Sequence, residues 1–249
     1  MLLAIDIGNT AIKCGVFDGD ILISKFVVKT KDYDADELHA LIAHHLDPVP
    51  KNAIVSSVVP ELSATVAQVL TTTGCEARLI TSKDDLGLTR SFSGETIGTD
   101  RLVNSFAAAE LHGSPCIVIS FGTATTIDVV NKDREHLGGL IAPGPKANAK
   151  ALELITSQLP EVEIVEPESI VNTTTEGAIQ AGIFYSQIGL VETAVRHVKR
   201  EIGDDAKVVA TGGFASMFAA KCGVIDVVEP DLTLLGLKML YSLGANGQK

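Results

Sequence analysis

A repeated pattern of strand, tight turn and strand places the strongest constraint on how this chain can fold. An apolar run over residues 2–7 leads through Gly8 into a second strand-like run over residues 11–17, which a polar turn closes. The same order returns between residues 115 and 130, with Gly122 in the place of Gly8. Internal duplication of this kind predicts two similar domains.

The first turn carries the groups that a site for phosphate and Mg²⁺ requires. Asp6 ends the strand, so its carboxylate is held rigidly, and hard cations prefer carboxylate oxygen. Gly8 lets the backbone approach a ligand closely, and the N–H groups of the turn, with the side chains of Asn9 and Thr10, can donate to phosphate oxygens. By itself this segment slightly favours an ordinary hairpin. The second copy of the pattern favours the phosphate site.

The composition is that of a globular chain with one large or two small domains. Of its 249 residues, 46% are hydrophobic, which is ample for a core of that size. The formal net charge of −11 argues against nucleic acid or an anionic membrane as the main partner, because their phosphate groups attract basic surfaces. Any anionic ligand must therefore be held by donors close to it.

The cysteines and histidines lack the spacings that metal sites use. The four cysteines include no C-x-x-C pair, and three of them lie in or beside apolar runs, which predicts free buried thiols in a reducing compartment. His44 and His45 are the only neighbouring histidines, and they point to different faces of a predicted helix. The sequence shows neither a signal-peptide pattern nor a long apolar span, so we expect a cytoplasmic protein.

Hydrophobic periodicity and turn residues predict the remaining elements. In the first half they predict an antiparallel meander over residues 1–30, helices over 34–46, 60–70 and 101–111, strands over 53–59 and 77–80, and a loop over 81–97. In the second half they predict strands over 116–120, 126–130, 135–141 and 207–210, and helices over 146–158, 176–201, 214–221 and 232–243.

Three antiparallel strands followed by helix, strand, helix and strand, occurring twice, predict an α/β fold of duplicated ribonuclease-H-like domains with mixed sheets. The best linker candidate is at residues 112–115, so we expect an N-terminal lobe over residues 1–113 and a C-terminal lobe over residues 114–249. Two such lobes facing each other form the actin-like nucleotide cleft of actin, hexokinase and Hsp70.

The motifs, taken together over nearly the whole chain, resemble those of the type III pantothenate kinases. In chain order they are Asp6-x-Gly8-Asn9-Thr10, Gly98-x-Asp100-Arg101, Gly122-Thr123-Ala124-Thr125-Thr126, Gly138-Gly139-x-Ile141-x-Pro143-Gly144, Thr175 before a long helix, Thr211-Gly212-Gly213, and Asp231-Leu232-Thr233-Leu234-x-Gly236-Leu237. The resemblance implies ATP-dependent phosphorylation of pantothenate to 4'-phosphopantothenate, the first step toward coenzyme A. It also implies a homodimer whose acceptor pocket lies near the subunit boundary.

The resemblance implies that ATP binds together with Mg²⁺, which Asp6 holds through water. The ATP-binding residues that it implies are Asp6, Ile7, Gly8, Asn9, Thr10, Lys13, Thr123, Gly212 and Gly213. Ordinary structural roles are open to some of them. Lys13 could be a solvated lysine of the hairpin and Thr123 a β-turn threonine, and a strand-to-helix turn would use Gly212 and Gly213 in any case.

On the acceptor side, the resemblance implies that Asp100 is the general base and that Arg101 pairs with the carboxylate of pantothenate. Asp100 could instead be an N-cap, and Arg101 could form a surface ion pair with Glu95 or Glu110. Thr175 would hydrogen-bond the acceptor from the facing subunit, or cap the long helix. The substrate-binding residues implied are Phe92, Gly98, Thr99, Asp100, Arg101 and Thr175.

The chain departs from the family pattern at two places. Ser120 stands where the family carries an aspartate associated with a monovalent cation, so affinity for K⁺ or NH₄⁺ should fall. Residues 91–95 replace an aromatic residue followed by Asn-Pro, and Phe92 is the shifted substitute for the aromatic side chain. Two other functions stay open: a kinase of the same superfamily for another hydroxyl compound, and a non-catalytic ligand-binding regulator, which Ser120 favours.

Overall fold

The computed structural model describes residues 1–90, 97–156 and 159–246 of the chain. Phe92 and the altered segment at residues 91–95 therefore lie outside the described residues. The described chain contains a five-stranded and a six-stranded sheet, both mixed, with helices packed against them, which confirms the predicted α/β class. None of the helices in these ranges is long and apolar enough to cross a membrane.

The elements follow one another along the chain with short connections in most places. The first half forms β1 (Leu2–Ile7), β2 (Ala11–Asp18), β3 (Ile21–Lys29), α1 (Ala35–His45), β4 (Asn52–Ser57), α2 (Pro60–Thr72), β5 (Glu76–Ile80), β6 (Thr89–Arg90) and α3 (Thr99–His112). The second half forms β7 (Cys116–Phe121), β8 (Ala124–Val130), β9 (Glu135–Pro143), α4 (Pro145–Ile155), α5 (Thr175–Ile202), β10 (Lys207–Thr211), α6 (Ala215–Ala219), β11 (Val227–Val228) and α7 (Leu232–Asn246).

The first sheet has β1 at its centre, in the order β3-β2-β1-β4-β5. The three strands β1, β2 and β3 form the predicted antiparallel meander, and β4 and β5 continue the sheet in parallel. Helices α1 and α2 cover one face, where Leu38 and Ile42 of α1 join a core with Ile5 of β1. A capping box between Asp34 and Glu37 satisfies backbone groups at the start of α1.

The opposite face of the first sheet is covered by α7. Gly15 is the register partner of Ala4, and a Cβ at Gly15 would lie 3.0 Å from Leu234 Cδ1, so α7 packs closely on the sheet at this point. The helix also packs closely on α3, because a Cβ at Gly236 would lie 2.8 Å from the carbonyl oxygen of Val103. Contact this close between two helices requires glycine.

The contacts divide the chain into two compact units. Unit 1 comprises Met1–Gly87, Gly94–Ala107 and Leu232–Lys249, and unit 2 comprises Leu88–Ser93 and Ala108–Asp231. Helix α7 therefore belongs to the same unit as β1, although the whole of the second sheet lies between them in sequence. The border expected at residues 113 and 114 separates the two sequence repeats, whereas the two units are defined by contacts. The position of that border stays a prediction.

The second sheet repeats the arrangement of the first one. Its order is β11-β10-β7-β8-β9-β6, with an antiparallel meander of β7, β8 and β9 and with β10 and β11 parallel to β7. Helices α5 and α6 pack on it through an apolar core. Members of this core are Ile117, Ile119, Phe184, Val191 and Phe218.

Two short strands were not predicted from the sequence. Strand β6 pairs in parallel with β9 although it lies in the segment that was predicted as a loop, so that prediction was wrong at residues 89–90. Strand β11 pairs with β10 at the far edge of the second sheet. Each has two residues, too few for hydrophobic alternation to be visible.

We expect the contact of α7 with the first sheet to carry much of the stability of unit 1. Leu237 is fully buried on α7 (0% exposed), so Leu237→Ala should lower the free energy of unfolding by about 3 kcal/mol. Leu243 lies on the same helix and is 54% exposed, so Leu243→Ala should change it by less than about 0.5 kcal/mol. Denaturant unfolding of both variants measures the difference, and equal effects would contradict the packing described here.

Candidate active site

Asp6 lies in the middle of a row of side chains that crosses the first sheet. Its register partners are Lys13 on β2 and Ser56 on β4, and register partners point their side chains to the same face of a sheet. The Nζ atom of Lys13 is 3.8 Å from Oδ2 of Asp6. Only 6% of Asp6 is exposed, so its carboxylate lies almost entirely out of water at the end of a buried strand.

Burial raises the pKa of Asp6 from 3.8 to about 6. The positive charge on Lys13 acts in the opposite direction, and the negative charge on Asp100 raises the pKa further. The carboxylates of Asp6 and Asp100 are therefore close enough to interact electrostatically, and both belong to unit 1. The structure brings together the two aspartates that the sequence analysis places in one site.

Asp100 lies in the first turn of α3, which begins at Thr99. The positive end of a helix stabilises a carboxylate in this position. A Cβ at Gly98 would lie 2.5 Å from Oδ1 of Asp100 and 3.8 Å from Cγ1 of Val58, so the Asp100 side chain folds back over Gly98 near the end of β4. Thr99 is buried, and Arg101 is partly exposed on the same turn. Of the ion-pair partners considered for Arg101, Glu110 pairs with Arg134.

The turn after β1 is a tight hairpin turn. The amide of Gly8 donates to the carbonyl of Ala11 at 3.0 Å, and Thr30 Oγ1 donates to the carbonyl of Gly8 at 2.7 Å. Asn9 and Thr10 are exposed, whereas the side chain of Ile7 is buried in the core. Ile7 can therefore offer only backbone groups to a ligand, while the two exposed residues can offer side chains.

The turn between β7 and β8 repeats this geometry in unit 2. The amide of Gly122 donates to the carbonyl of Ala124 at 3.0 Å, as Gly8 does to Ala11. Thr123 is exposed at the tip, and its carbonyl accepts from the amide of Gly144 at 3.1 Å. The predicted match between the two glycine turns is thus present in the hydrogen bonds.

Gly212 and Gly213 differ in what surrounds them. Gly212 has a φ of +95°, and a Cβ there would lie 2.5 Å from the carbonyl oxygen of Phe121, so the strand-to-helix turn itself requires glycine. A Cβ at Gly213 would meet nothing within 4 Å. The backbone at Gly213 is open to approach by a ligand, whereas Gly212 is explained by the fold.

Thr175 is the first residue of α5, and the N-cap of this helix is Thr174, whose side chain accepts from the amide of Gly177. The capping role considered for Thr175 is therefore filled by its neighbour. Thr175 lines a largely apolar cavity of about 630 Å³ between α4 and α5, together with residues such as Leu152 and Ile179. The cavity lies within unit 2.

The donor atoms at Asp6 fit a hydrated Mg²⁺ ion. Within the ranges described, no group of three or more His, Cys, Asp or Glu side chains could hold a metal by itself. Mg²⁺ in nucleotide sites is bound by one or two carboxylates, by phosphate oxygens and by water, so a single buried carboxylate suffices. The four cysteines are free and buried, as predicted, and burial raises the pKa of Cys14 to about 12.

Two buried polar features of unit 1 were not predicted from the sequence. Thr233 Oγ1 donates to Asn104 Oδ1 at 2.8 Å, which ties α7 to the helix that carries Asp100. Ser56 is completely buried beside Asp6, and its hydroxyl makes no hydrogen bond with any described residue. Thr233 lies in one of the recognised motifs, but a serine inside an apolar strand gives no signal in a single sequence.

Comparison with known proteins finds a family match over most of the chain. Residues 2–197 match the family described as type III pantothenate kinase. The type III pantothenate kinase of Dehalococcoides mccartyi strain CBDB1 is 37% identical over 252 residues, which cover 97% of this chain and 95% of the relative.

Solved structures share the fold. A protein described as a Baf family transcriptional activator from Campylobacter jejuni superposes with a TM-score of 0.65 at 20% identity, over 98% of this chain and 99% of its own. The activator of the 2-hydroxyisocaproyl-CoA dehydratase from Clostridium difficile, with bound ADPNP, has a TM-score of 0.52 at 13% identity, over 99% and 97%. The predicted actin-like fold of two ribonuclease-H-like domains is thereby confirmed.

The raised pKa of Asp6 makes a prediction about stability in the absence of metal. Because the pKa of Asp6 in the fold lies above that in the unfolded chain, the contribution of Asp6 to stability is greatest below about pH 4 and is lost as the pH rises through about 6. Asp6→Asn should therefore stabilise the protein by about 3 kcal/mol near pH 7.5 and by much less near pH 4. Denaturant unfolding in EDTA at both pH values measures this, with the exposed Asp18→Asn as control; a gain that does not depend on pH would contradict the burial argument.

Proposed function

Since this chain belongs to the type III pantothenate kinase family, we propose that it transfers the γ-phosphoryl group of ATP to the primary hydroxyl of pantothenate, giving 4'-phosphopantothenate and ADP. This reaction is the first step of coenzyme A biosynthesis. The observation that best supports it is that Asp6 and Asp100 lie in one compact unit, where the charge on Asp100 helps to raise the pKa of Asp6. The four free, buried cysteines favour a reducing compartment, so the proposed compartment is the cytoplasm.

On the nucleotide side, Asp6 would hold hydrated Mg²⁺, and the turn of Gly8, Asn9 and Thr10 would bind phosphate oxygens. When bound, Mg²⁺ neutralises the charge that develops on the transferred group and on the leaving ADP. The side chain of Lys13 is 36% exposed beside Asp6, and its ammonium group would bind the γ-phosphate. The nucleotide-binding residues that we assign are Asp6, Ile7 (through its backbone), Gly8, Asn9, Thr10, Lys13, Thr123, Gly212 and Gly213.

On the acceptor side, Asp100 orients the hydroxyl of pantothenate and accepts its proton. The hydroxyl oxygen forms a bond to the γ-phosphorus while the bond from that phosphorus to the bridging oxygen of ADP breaks. Arg101, in the same helical turn, pairs with the pantothenate carboxylate, since a guanidinium group matches a carboxylate in a bidentate pair. Gly98 and Thr99 shape the backbone that presents these two side chains.

Ser120 leaves little support for a tightly bound monovalent cation. Its register partners are Thr126 on β8 and Thr211 on β10, so this part of the second sheet carries a row of hydroxyl groups without a carboxylate. Hydroxyl oxygens can ligate K⁺ or NH₄⁺ but supply no negative charge. We therefore assign this chain weak dependence on a monovalent cation.

The homodimer is proposed on the surface around α4 and α5. Large apolar side chains stand exposed there, including Leu154 (71%), Ile155 (77%), Ile170 (62%) and Val171 (80%). Exposed apolar patches of this kind mark interaction surfaces. A partner subunit seated there would lie against the cavity that Thr175 lines, as expected if Thr175 contacts the acceptor of the facing subunit.

A different hydroxyl acceptor is the second candidate for the same chemistry. The departure of residues 91–95 from the family pattern favours it, because this segment lies just before Gly98 and Asp100. The non-catalytic regulator is less favoured, since Asp6, Lys13 and Asp100 are all present. A panel of small alcohols with coupled detection of ADP separates the two kinases, and absence of turnover on every compound would favour the regulator.

Replacing the general base should abolish most of the activity. Asp100→Asn keeps the size of the side chain but removes its ability to accept a proton, so kcat for pantothenate should fall about 100-fold or more. ADP release with pantothenate, in the presence and absence of K⁺, measures this. Asp18→Asn, an exposed change in the same unit, is the control. Equal rates for Asp100→Asn and the parent protein would remove Asp100 from its role.

A charge placed in the α4–α5 cavity should separate the subunits. Ala178 lines the cavity and is exposed, so Ala178→Glu puts an ionised group where the partner would bury it, and the dimer should dissociate to a monomer. Thr193→Glu adds the same charge at an exposed position elsewhere on α5 and serves as the matched control. Light scattering gives the mass. A dimer that survives Ala178→Glu, or a monomeric parent protein, would contradict this interface.

A further inference from the structure

Ser56 presents a buried hydroxyl without a hydrogen-bond partner. It is 0% exposed on β4, and its Oγ atom makes no hydrogen bond within the described parts of the chain. Buried polar side chains in native proteins are nearly always paired, because leaving one unpaired costs free energy. A hydroxyl that destabilises the free protein therefore requires an explanation outside the packing of the core.

The neighbour of Ser56 in the sheet is the carboxylate of Asp6. The two residues are register partners in the parallel pair of β1 and β4, where adjacent strands lie about 4.8 Å apart and side chains of one row are neighbours. The other neighbour of Asp6 is Lys13, whose Nζ lies 3.8 Å from Oδ2, beyond hydrogen-bond distance. A buried acceptor and a buried donor thus lie side by side, and the acceptor has its nearest cation on the opposite side.

Nucleotide binding, as proposed above, would change the neighbours of the Asp6 carboxylate. If Lys13 turns to the γ-phosphate, Asp6 loses its nearest positive charge at the moment when it must stay ionised and oriented. A hydroxyl donates to a carboxylate more strongly than to a neutral acceptor, and it needs only a rotation about one bond to do so. Ser56 is at the right register position to make that bond.

We propose that Ser56 is a positioning residue of the phosphoryl-transfer site, whose hydroxyl donates a hydrogen bond to the Asp6 carboxylate when the Mg²⁺–nucleotide complex is bound. This inference rests on the proposed function, because it takes Asp6 as the residue that holds Mg²⁺. Ser56 acts through Asp6 and does not itself touch the nucleotide.

Substitution of Ser56 should therefore affect the stability of the free protein and the binding of Mg-ATP in different ways. Ser56→Ala removes an unpaired buried hydroxyl, so the melting temperature of the free protein should stay equal or rise. The same change removes a charge-assisted hydrogen bond from the bound state, so kcat/KM for Mg-ATP should fall about tenfold. A residue with a purely structural role would lower both.

The matched control is Ser105→Ala. Ser105 is also 0% exposed in unit 1, and its hydroxyl likewise has no hydrogen-bond partner among the described residues, but it is not a register partner of Asp6. The Ser105→Ala protein should gain stability without losing affinity for the nucleotide. Ser56→Cys replaces the hydroxyl by a larger group that is a much weaker donor, so it should bind nucleotide like Ser56→Ala if the hydrogen bond matters.

The main readout is the rise in melting temperature when a non-hydrolysable ATP analogue is added, once with Mg²⁺ and once with EDTA. Ser56→Ala should reduce the rise with Mg²⁺ and leave the rise with EDTA unchanged. An equal rise in Ser56→Ala and the parent protein with Mg²⁺ would overturn the inference, as would a free protein destabilised by Ser56→Ala. This readout needs no pantothenate, so a parent protein that fails to phosphorylate pantothenate would refute the proposed acceptor while the role of Ser56 is still decided.

Discussion

The burial of the Asp6 carboxylate is the constraint on which the rest of the candidate site depends. The carboxylate lies at the end of the central strand of the first sheet, between an ammonium group on one side and a hydroxyl on the other. Neither neighbour compensates fully for the removal of the Asp6 carboxylate from water, so the pKa of Asp6 is raised to about 6. A strand rigid enough to hold a charge there must be packed on both faces, and the helices of unit 1 supply that packing.

The site combines rigid strands with a helix end. Asp6 is fixed by the ladder of β1, whereas Asp100 is fixed by α3, whose position depends on α7 through Gly236 and the bond from Thr233 to Asn104. A shift of α7 would therefore move one aspartate relative to the other. Small displacements of this kind are costly in phosphoryl transfer, because the reaction relies on orientation more than on covalent chemistry.

The sequence predicted the helices and strands better than it predicted the surroundings of the candidate site residues. Apolar runs and alternation were sufficient to predict β1 to β5, and helical periodicity was sufficient to predict the long helix α5. The assignment of Asp6 and Asp100 to one site came from the family resemblance, not from the pattern. The packing of α7 on β1 depends on contacts between distant parts of the chain, so local sequence patterns do not predict it. They also do not predict the unpaired hydroxyl of Ser56, because it lies in a strand with an apolar core.

The discontinuity of unit 1 has a consequence for how the protein is made. On the ribosome, β1 to β5 and the start of α3 emerge long before α7. The sheet face that carries Asp6 therefore stays uncovered until the whole of unit 2 has been synthesised. Unit 2 is continuous from residue 108 to residue 231 apart from one short strand, so it can complete its core first. The nascent chain would then complete last the unit that carries Asp6 and Asp100, after translation has passed α7.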